Sequence, residues 1–122
     1  MYIVSRFTFR KQERLFKRKE INRVYKGKSY TNSFFILYFI PNHCETNRVC
    51  FCIRRKPLGS AVKRNRLKRL LREAYRLNKH RLKGNFDIVI ASKKEKLDFP
   101  LYYKEVEDRI LALFKKAGLL KE

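Results

Sequence analysis

Negative charge is scarce in this chain: 11 Asp and Glu face 32 Lys and Arg, giving a formal net charge of +21 over 122 residues. The carboxylates Asp87, Asp98, Glu105, Glu107 and Asp108 are too scattered to gather as magnesium ligands, which argues against a protein-only nuclease. Histidine is limited to His43, in a polar turn, and His80, near a helix end, and both are expected to be exposed and idle. No Ser/His/Asp set, no pair of catalytic carboxylates and no glycine-rich phosphate loop is present, so no catalytic residue is assigned. The three cysteines, Cys44, Cys50 and Cys52, are odd in number and lack a framework of spacings, which argues against a disulfide scaffold. Without a second cysteine pair or nearby histidines, a structural zinc site is not expected either, and no metal is assigned to the protein. No apolar run approaches the roughly 18–20 residues that cross a bilayer. The opening MYIVSRFTFRK is too short and too charged for a secretory signal peptide, so the chain is expected to be cytoplasmic.

What is abundant is positive charge. A net charge of this size repels itself and opposes the compact state. A polyanion makes sense of it, because each neutralised phosphate releases condensed counterions. A charged, solvated surface explains a few units but not this many, and an anionic membrane ranks well behind nucleic acid. Hydrophobic residues at 44%, with 14% aromatic, are enough for a real core and exclude a disordered chain. The length suits a single RNA-binding domain over 1–122, with residues 1–12 expected to be loosely ordered.

The element order reads helix, strand, strand, helix, strand, helix. In 17–26, Ile21, Val24 and Tyr25 fall at i, i+3, i+4, a short amphipathic helix closed near Gly27. FFILYFI (34–40) is a strand, and PNHCETN (41–47) a polar turn. RVCFCIR (48–54) alternates, with Val49, Phe51 and Ile53 on one face and Arg48, Cys50, Cys52 and Arg54 on the other. These two strands are expected to pair as an antiparallel hairpin. KPLG (56–59) breaks the second strand, and Ser60 is a suitable cap for the long helix that follows. FDIVIAS (86–92) is a third strand, and Tyr103, Val106, Ile110, Leu113 and Phe114 trace a last helix. Helices on a small mixed sheet define an α+β fold of the split βαβ kind.

The segment GSAVKRNRLKRLLREAYR (59–76) carries the chemistry. Leu67, Leu70, Leu71, Ala74 and Tyr75 mark its buried stripe, and Asn65, Arg69, Arg72 and Arg76 lie opposite. An ordinary solvated helix face mixes Glu and Lys at i, i+4, yet Glu73 is the only acid here. Lys63, Arg64 and Arg66 sit near the helix N-terminus, where each exposed cation opposes the dipole by about 0.3–1 kcal/mol. A bound phosphate relieves this, and Lys63, Arg64, Asn65 and Arg66 form a candidate phosphate site.

These residues strongly resemble the signature of the bacterial ribonuclease P protein family, whose hallmark is the triplet Arg64-Asn65-Arg66. Tyr25-Lys26-Gly27-Lys28-Ser29, Phe35-Ile36-Leu37-Tyr38, Arg48-Val49 and Asp87-Ile88-Val89-Ile90-Ala91 resemble further stretches of that family, so the likeness spans nearly the whole chain. It implies a protein subunit that binds the catalytic ribonuclease P RNA and the single-stranded 5′ leader of precursor tRNA. Hydrolysis is then the work of the RNA subunit and its Mg2+, with no cofactor held by the protein. The resemblance assigns Arg64, Asn65, Arg66, Lys68, Arg69 and Arg72 to the RNA subunit, and Lys63 joins them from the candidate phosphate site. It assigns Tyr25 and Tyr38 to the leader cleft, together with the position of Ile21. Strand alternation then adds Phe34 and Ile36 on the Tyr38 face, with Arg54 and Lys56 nearby. Aromatics beside cations are what a single-strand groove needs, since bases stack and phosphates pair. The family also implies a left-handed crossover, against the usual rule.

Three positions depart from the family pattern: Ile21 where an aromatic is usual, Cys50 where glycine is common, and a KPLG turn one residue longer. A monomer is expected for the isolated chain. Two other nucleic-acid classes fit less well. Ribosomal proteins spread their basicity into tails and loops, and a double-stranded DNA reader needs a second short helix on a tight turn.

Overall fold

The structure is a computed structural model that describes residues 9–53, 61–93 and 102–121. Its elements are α1 (Arg18–Val24), β1 (Lys28–Thr31), β2 (Phe35–Pro41), β3 (Arg48–Cys52), α2 (Ala61–Asn78), β4 (Phe86–Ser92) and α3 (Tyr103–Lys116). The strands form one mixed sheet in the order β1-β2-β4-β3. β2 runs antiparallel to β1 and β4, and β3 runs parallel to β4.

The expected hairpin between 34–40 and 48–54 therefore does not form. β4 lies between the two strands, with Leu37 opposite Ile90 on one side and Phe51 opposite Ile90 on the other. The reason is burial. Asp87 to Ser92 are all buried, and a strand apolar on both faces belongs at the centre of a sheet. β3 is displaced to the edge, and α2 makes the connection that parallel neighbours require. β1 was not foreseen, because KSYT is short, largely exposed and without apolar alternation.

One sheet face is closed by α2 and α3. Phe35, Leu37, Phe39, Val49, Ile88 and Ile90 meet Leu67, Leu71, Ala74 and Tyr75 from α2 and Val106, Ile110, Leu113 and Phe114 from α3. α3 ends where Gly118 takes φ 75, letting the Leu119 amide reach the Phe114 carbonyl at 2.9 Å and the Gly118 amide reach Lys115 at 3.0 Å. On the opposite face, α1 covers only part of the sheet, through Leu15, Val24 and Val89 with Ile21, Tyr38, Ile40, Cys50 and Cys52 around them. Gly27 sits so near β2 that a Cβ would fall 2.5 Å from the Phe39 carbonyl oxygen. Its place is set by that close approach as well as by helix termination.

Residues 9–12, expected to be loose, are tied down. Phe9 packs edge-on against Tyr75 at 5.7 Å, and the turn Lys11–Glu13 brings Glu13 onto Lys79 at 2.7 Å. The Leu15 amide then donates to the Val49 carbonyl, so this segment lies along part of the free edge of β3. Residues 1–8 fall outside the described residues, as do Arg54, Lys56, the KPLG turn and Ser60.

Arg48 fastens the two parallel strands to α1. Its Nε and Nη2 donate to the two Asp87 oxygens at 2.8 and 2.7 Å, and Nη2 also lies 3.2 Å from Glu20. The Asp87 side chain is only 3% exposed, so losing its partner strands a buried charge. Arg48→Ala should lower the unfolding free energy by about 3–5 kcal/mol. Urea denaturation followed by circular dichroism measures this, and a loss below about 1 kcal/mol would show that the clamp is dispensable.

Candidate nucleic-acid interface

α2 presents two sides because its period places leucines every third or fourth residue. Leu67, Leu71, Ala74 and Tyr75 enter the core, while Lys63, Asn65, Arg66, Lys68, Arg69 and Arg72 remain exposed and Arg64 is half-buried. Asn65, Lys68, Arg69, Arg72, Glu73 and Arg76 line a groove of about 530 Å3 whose far wall is Phe9. The Phe9 ring holds the Arg72 guanidinium at 5.6 Å and that of Arg14 at 5.1 Å. Glu73 is drawn onto Arg76, which leaves the middle of the groove cationic.

The second surface is the part of the sheet that α1 leaves uncovered. Register aligns Ile36, Ala91 and Cys52 in one row across β2, β4 and β3, and Tyr38, Val89 and Cys50 in the next. Tyr25, at the C-terminal end of α1, stands edge-on over Tyr38 with centroids 4.8 Å apart. Together Tyr25, Ile36, Tyr38, Cys52, Ile53 and Ala91 line an open cleft of about 550 Å3. Its wall is apolar and aromatic, and Tyr25 keeps 40% of its surface exposed, so a planar base has a ring to stack on. Ile21 packs beneath, against the Leu15 and Val24 cluster.

Lys68 links the two surfaces electrostatically. That side chain lines the α2 groove, and its charge also acts on Cys50 and Cys52 in the cleft. The two sulfurs are 3.7 Å apart. Cys52 is pulled down to about 6, first by the thiol of Cys50 donating to it, then by the Tyr25 hydroxyl and the Lys68 charge, against the cost of burial. The same hydrogen bond pushes the Cys50 thiol strongly up.

Of the expected cleft residues, Tyr25, Ile36 and Tyr38 come together, Arg54 and Lys56 lie outside the described residues, and Phe34 stands apart. The Asn32 side chain accepts the amides of Phe34 and Phe35, both at 2.9 Å, so the chain is still turning at Phe34. Alternation begins only at Phe35, and the Phe34 ring goes to the helical side, under Arg109 at 4.7 Å. Sequence reasoning missed Phe9 as a wall of the basic groove. It also missed Phe16, 61% exposed beside Lys11, Arg14 and Lys17 in a further shallow groove. The available signal was an aromatic set among cations without apolar periodicity. Among the described residues, no three His, Cys, Asp or Glu side chains are grouped to hold a metal ion, and no helix is long and apolar enough to cross a membrane.

Fold and surfaces together define a small basic α+β protein with a cationic helix beside an aromatic cleft. The family model described as Ribonuclease P matches residues 9–118, and the chain belongs to the ribonuclease P protein family. A "Ribonuclease P protein component" from Clostridium botulinum is 39% identical over 111 residues, covering 89% of this chain and 97% of its own. One from Clostridium novyi is 41% identical over 113 residues, covering 90% and 97%. Among solved structures, the RNase P protein of Thermotoga maritima superposes with a TM-score of 0.72 at 33% identity, covering 85% of this chain and 96% of its own. That of Staphylococcus aureus gives 0.79 at 26% identity, covering 89% and 98%. This membership ties the chain to ribonuclease P and so to tRNA processing.

Since Cys52 ionises easily, its alkylation by iodoacetamide should climb with pH to half its limiting rate near pH 6 and be level by pH 8. Tyr25→Phe removes one donor and should move that midpoint upward. Peptide-resolved mass spectrometry across pH follows both; a wild-type midpoint above pH 8 contradicts the assigned environment.

Proposed function

We propose that the chain is the protein subunit of a ribonuclease P ribonucleoprotein, one that binds RNA and leaves hydrolysis to the RNA subunit. In this reading the exposed side of α2, from Lys63 through Arg72, lies on the RNA subunit. The cleft between α1 and the sheet holds the single-stranded 5′ leader of precursor tRNA. Arg54 and Lys56, which lie outside the described residues, are the cations this reading would assign to leader phosphates.

The observation that carries this reading is the presence on one small fold of two unlike surfaces, the cationic groove along α2 and the open aromatic cleft over the sheet. A cationic helix face suits phosphates spaced along folded RNA. An open aromatic cleft suits unpaired bases, which stack without needing a fixed sequence. One protein with both can hold a ribozyme and the single strand that leaves its active centre. Leader binding then adds affinity for precursor over product, and cations near the junction reduce the Mg2+ that the RNA requires. The assembly acts in the cytoplasm, and the isolated subunit is a monomer.

Reconstitution with a bacterial ribonuclease P RNA tests the proposal. The chain should restore 5′ cleavage of precursor tRNA at a magnesium concentration where the RNA alone is inactive. Arg64→Ala/Arg66→Ala should weaken binding to the RNA subunit and lower the salt slope by roughly 2, about 1 per lost phosphate contact. Equal affinity and slope for the two proteins would remove these arginines from the interface.

Tyr25→Ala should weaken precursor binding by about 1–3 kcal/mol, the worth of one base–aromatic stack, and leave mature tRNA binding unchanged. Filter binding of the reconstituted holoenzyme to both RNAs measures the difference. An equal loss on both would take Tyr25 out of leader recognition.

A further inference from the structure

Cys52 in the cleft and Cys50 beside it form a dithiol that stacking and phosphate pairing do not use. Cys50 and Cys52 project from the same face of β3, their sulfurs 3.7 Å apart, and both are half-buried rather than sealed. Cys52 lines the cleft itself, so a small reagent entering by the route open to a nucleotide meets its sulfur. Tyr25 and Lys68 are the titratable or charged groups whose influence reaches this pair, and Tyr38 acts in turn on Tyr25.

We propose that Cys50 and Cys52 form a peroxide-sensitive dithiol whose oxidation to an intrachain disulfide closes the cleft to single-stranded RNA. The second half of this statement rests on the reading of the cleft as a single-strand site.

The chemistry is a two-electron oxidation by a hydroperoxide. The Cys52 thiolate attacks one oxygen of hydrogen peroxide and the O–O bond breaks. This leaves a sulfenic acid on Cys52 and a hydroxide, which takes up a proton to become water. Oxidation of Cys52 removes the thiolate that held the Cys50 proton in place, while the Lys68 charge continues to favour ionisation of Cys50. Cys50 then gives up its proton and attacks the Cys52 sulfur. The S–O bond breaks, the oxygen leaves as a second water, and the S–S bond closes.

Geometry explains both the closure and its reversal. Drawing two same-face neighbours of an extended strand into a bridge requires the backbone to shorten, which makes the bond readily reduced. β3 can yield because it is an edge strand that ends at Cys52. Its distortion disturbs the row Ile36–Ala91–Cys52 and takes away the sulfur that the Tyr25 hydroxyl binds.

The test uses the full chain, hydrogen peroxide near stoichiometric amounts, and a fluorescent single-stranded oligonucleotide. Trypsin releases residues 49–54 as one peptide, separate from Cys44, and oxidation should lower its mass by the two hydrogens of a disulfide. Oligonucleotide affinity should fall at least tenfold and return on treatment with dithiothreitol. In Cys50→Ser, Cys52 should instead accumulate as a sulfenic acid trapped by dimedone. A 49–54 peptide of unchanged mass overturns the inference, as does a bridged peptide with unchanged affinity. If the reduced chain fails to bind the oligonucleotide, the single-strand reading of the cleft falls, while the peptide mass still decides the thiol chemistry.

Discussion

The structure depends on where a very cationic chain places its few carboxylates. Asp87 and Glu20 hold Arg48, Glu13 holds Lys79, and Glu107 accepts from Asn78 and Tyr103. Each of these acids is at least partly buried and joins segments distant in sequence, except that the Tyr103 contact lies within α3. These four acids serve as internal fastening, whereas Glu105 and Asp108 stay exposed and pair with Arg109 and Lys104 along the outer side of α3. The Arg48–Asp87 pair is the central case, because its bidentate geometry and the Asn42 amide at 2.8 Å satisfy a carboxylate that water hardly reaches. Around it, α1, β3 and β4 hold one relative position, and the cleft is the gap they leave.

α2 serves both halves of the molecule. Its leucine side completes the core, so the orientation of its basic side is set by packing and not by the cations themselves. Phe9 and the Glu13–Lys79 pair anchor the segment before α1 against this helix and turn one flank of the basic face into a groove. A repelling array of arginines is held in place by hydrophobic burial elsewhere.

The cleft arises from unequal coverage of the sheet. α2 and α3 close one face, whereas α1, a helix of 7 residues, is too short to close the other. The uncovered strip carries Ile36, Tyr38, Ala91 and Cys52, side chains of graded size that leave room beneath Tyr25. Phe34 shows how narrow the margin is. One residue before the strand begins, the Asn32 turn sends its ring to the opposite side of the sheet.

The sequence by itself determined the class of fold, most of the helices and strands, the basic side of α2 and the family. All of these rest on local periodicity, composition or a contiguous motif, which are written in neighbouring residues. Only tertiary structure decided that β4 separates β2 from β3, because alternation marks a strand's faces and is silent about its neighbours. It also decided that KSYT becomes a strand, that Phe9 walls the basic groove, and that the Lys68 charge acts on Cys50 and Cys52. Those facts depend on which segments pack together, and that is settled by burial summed over the whole chain.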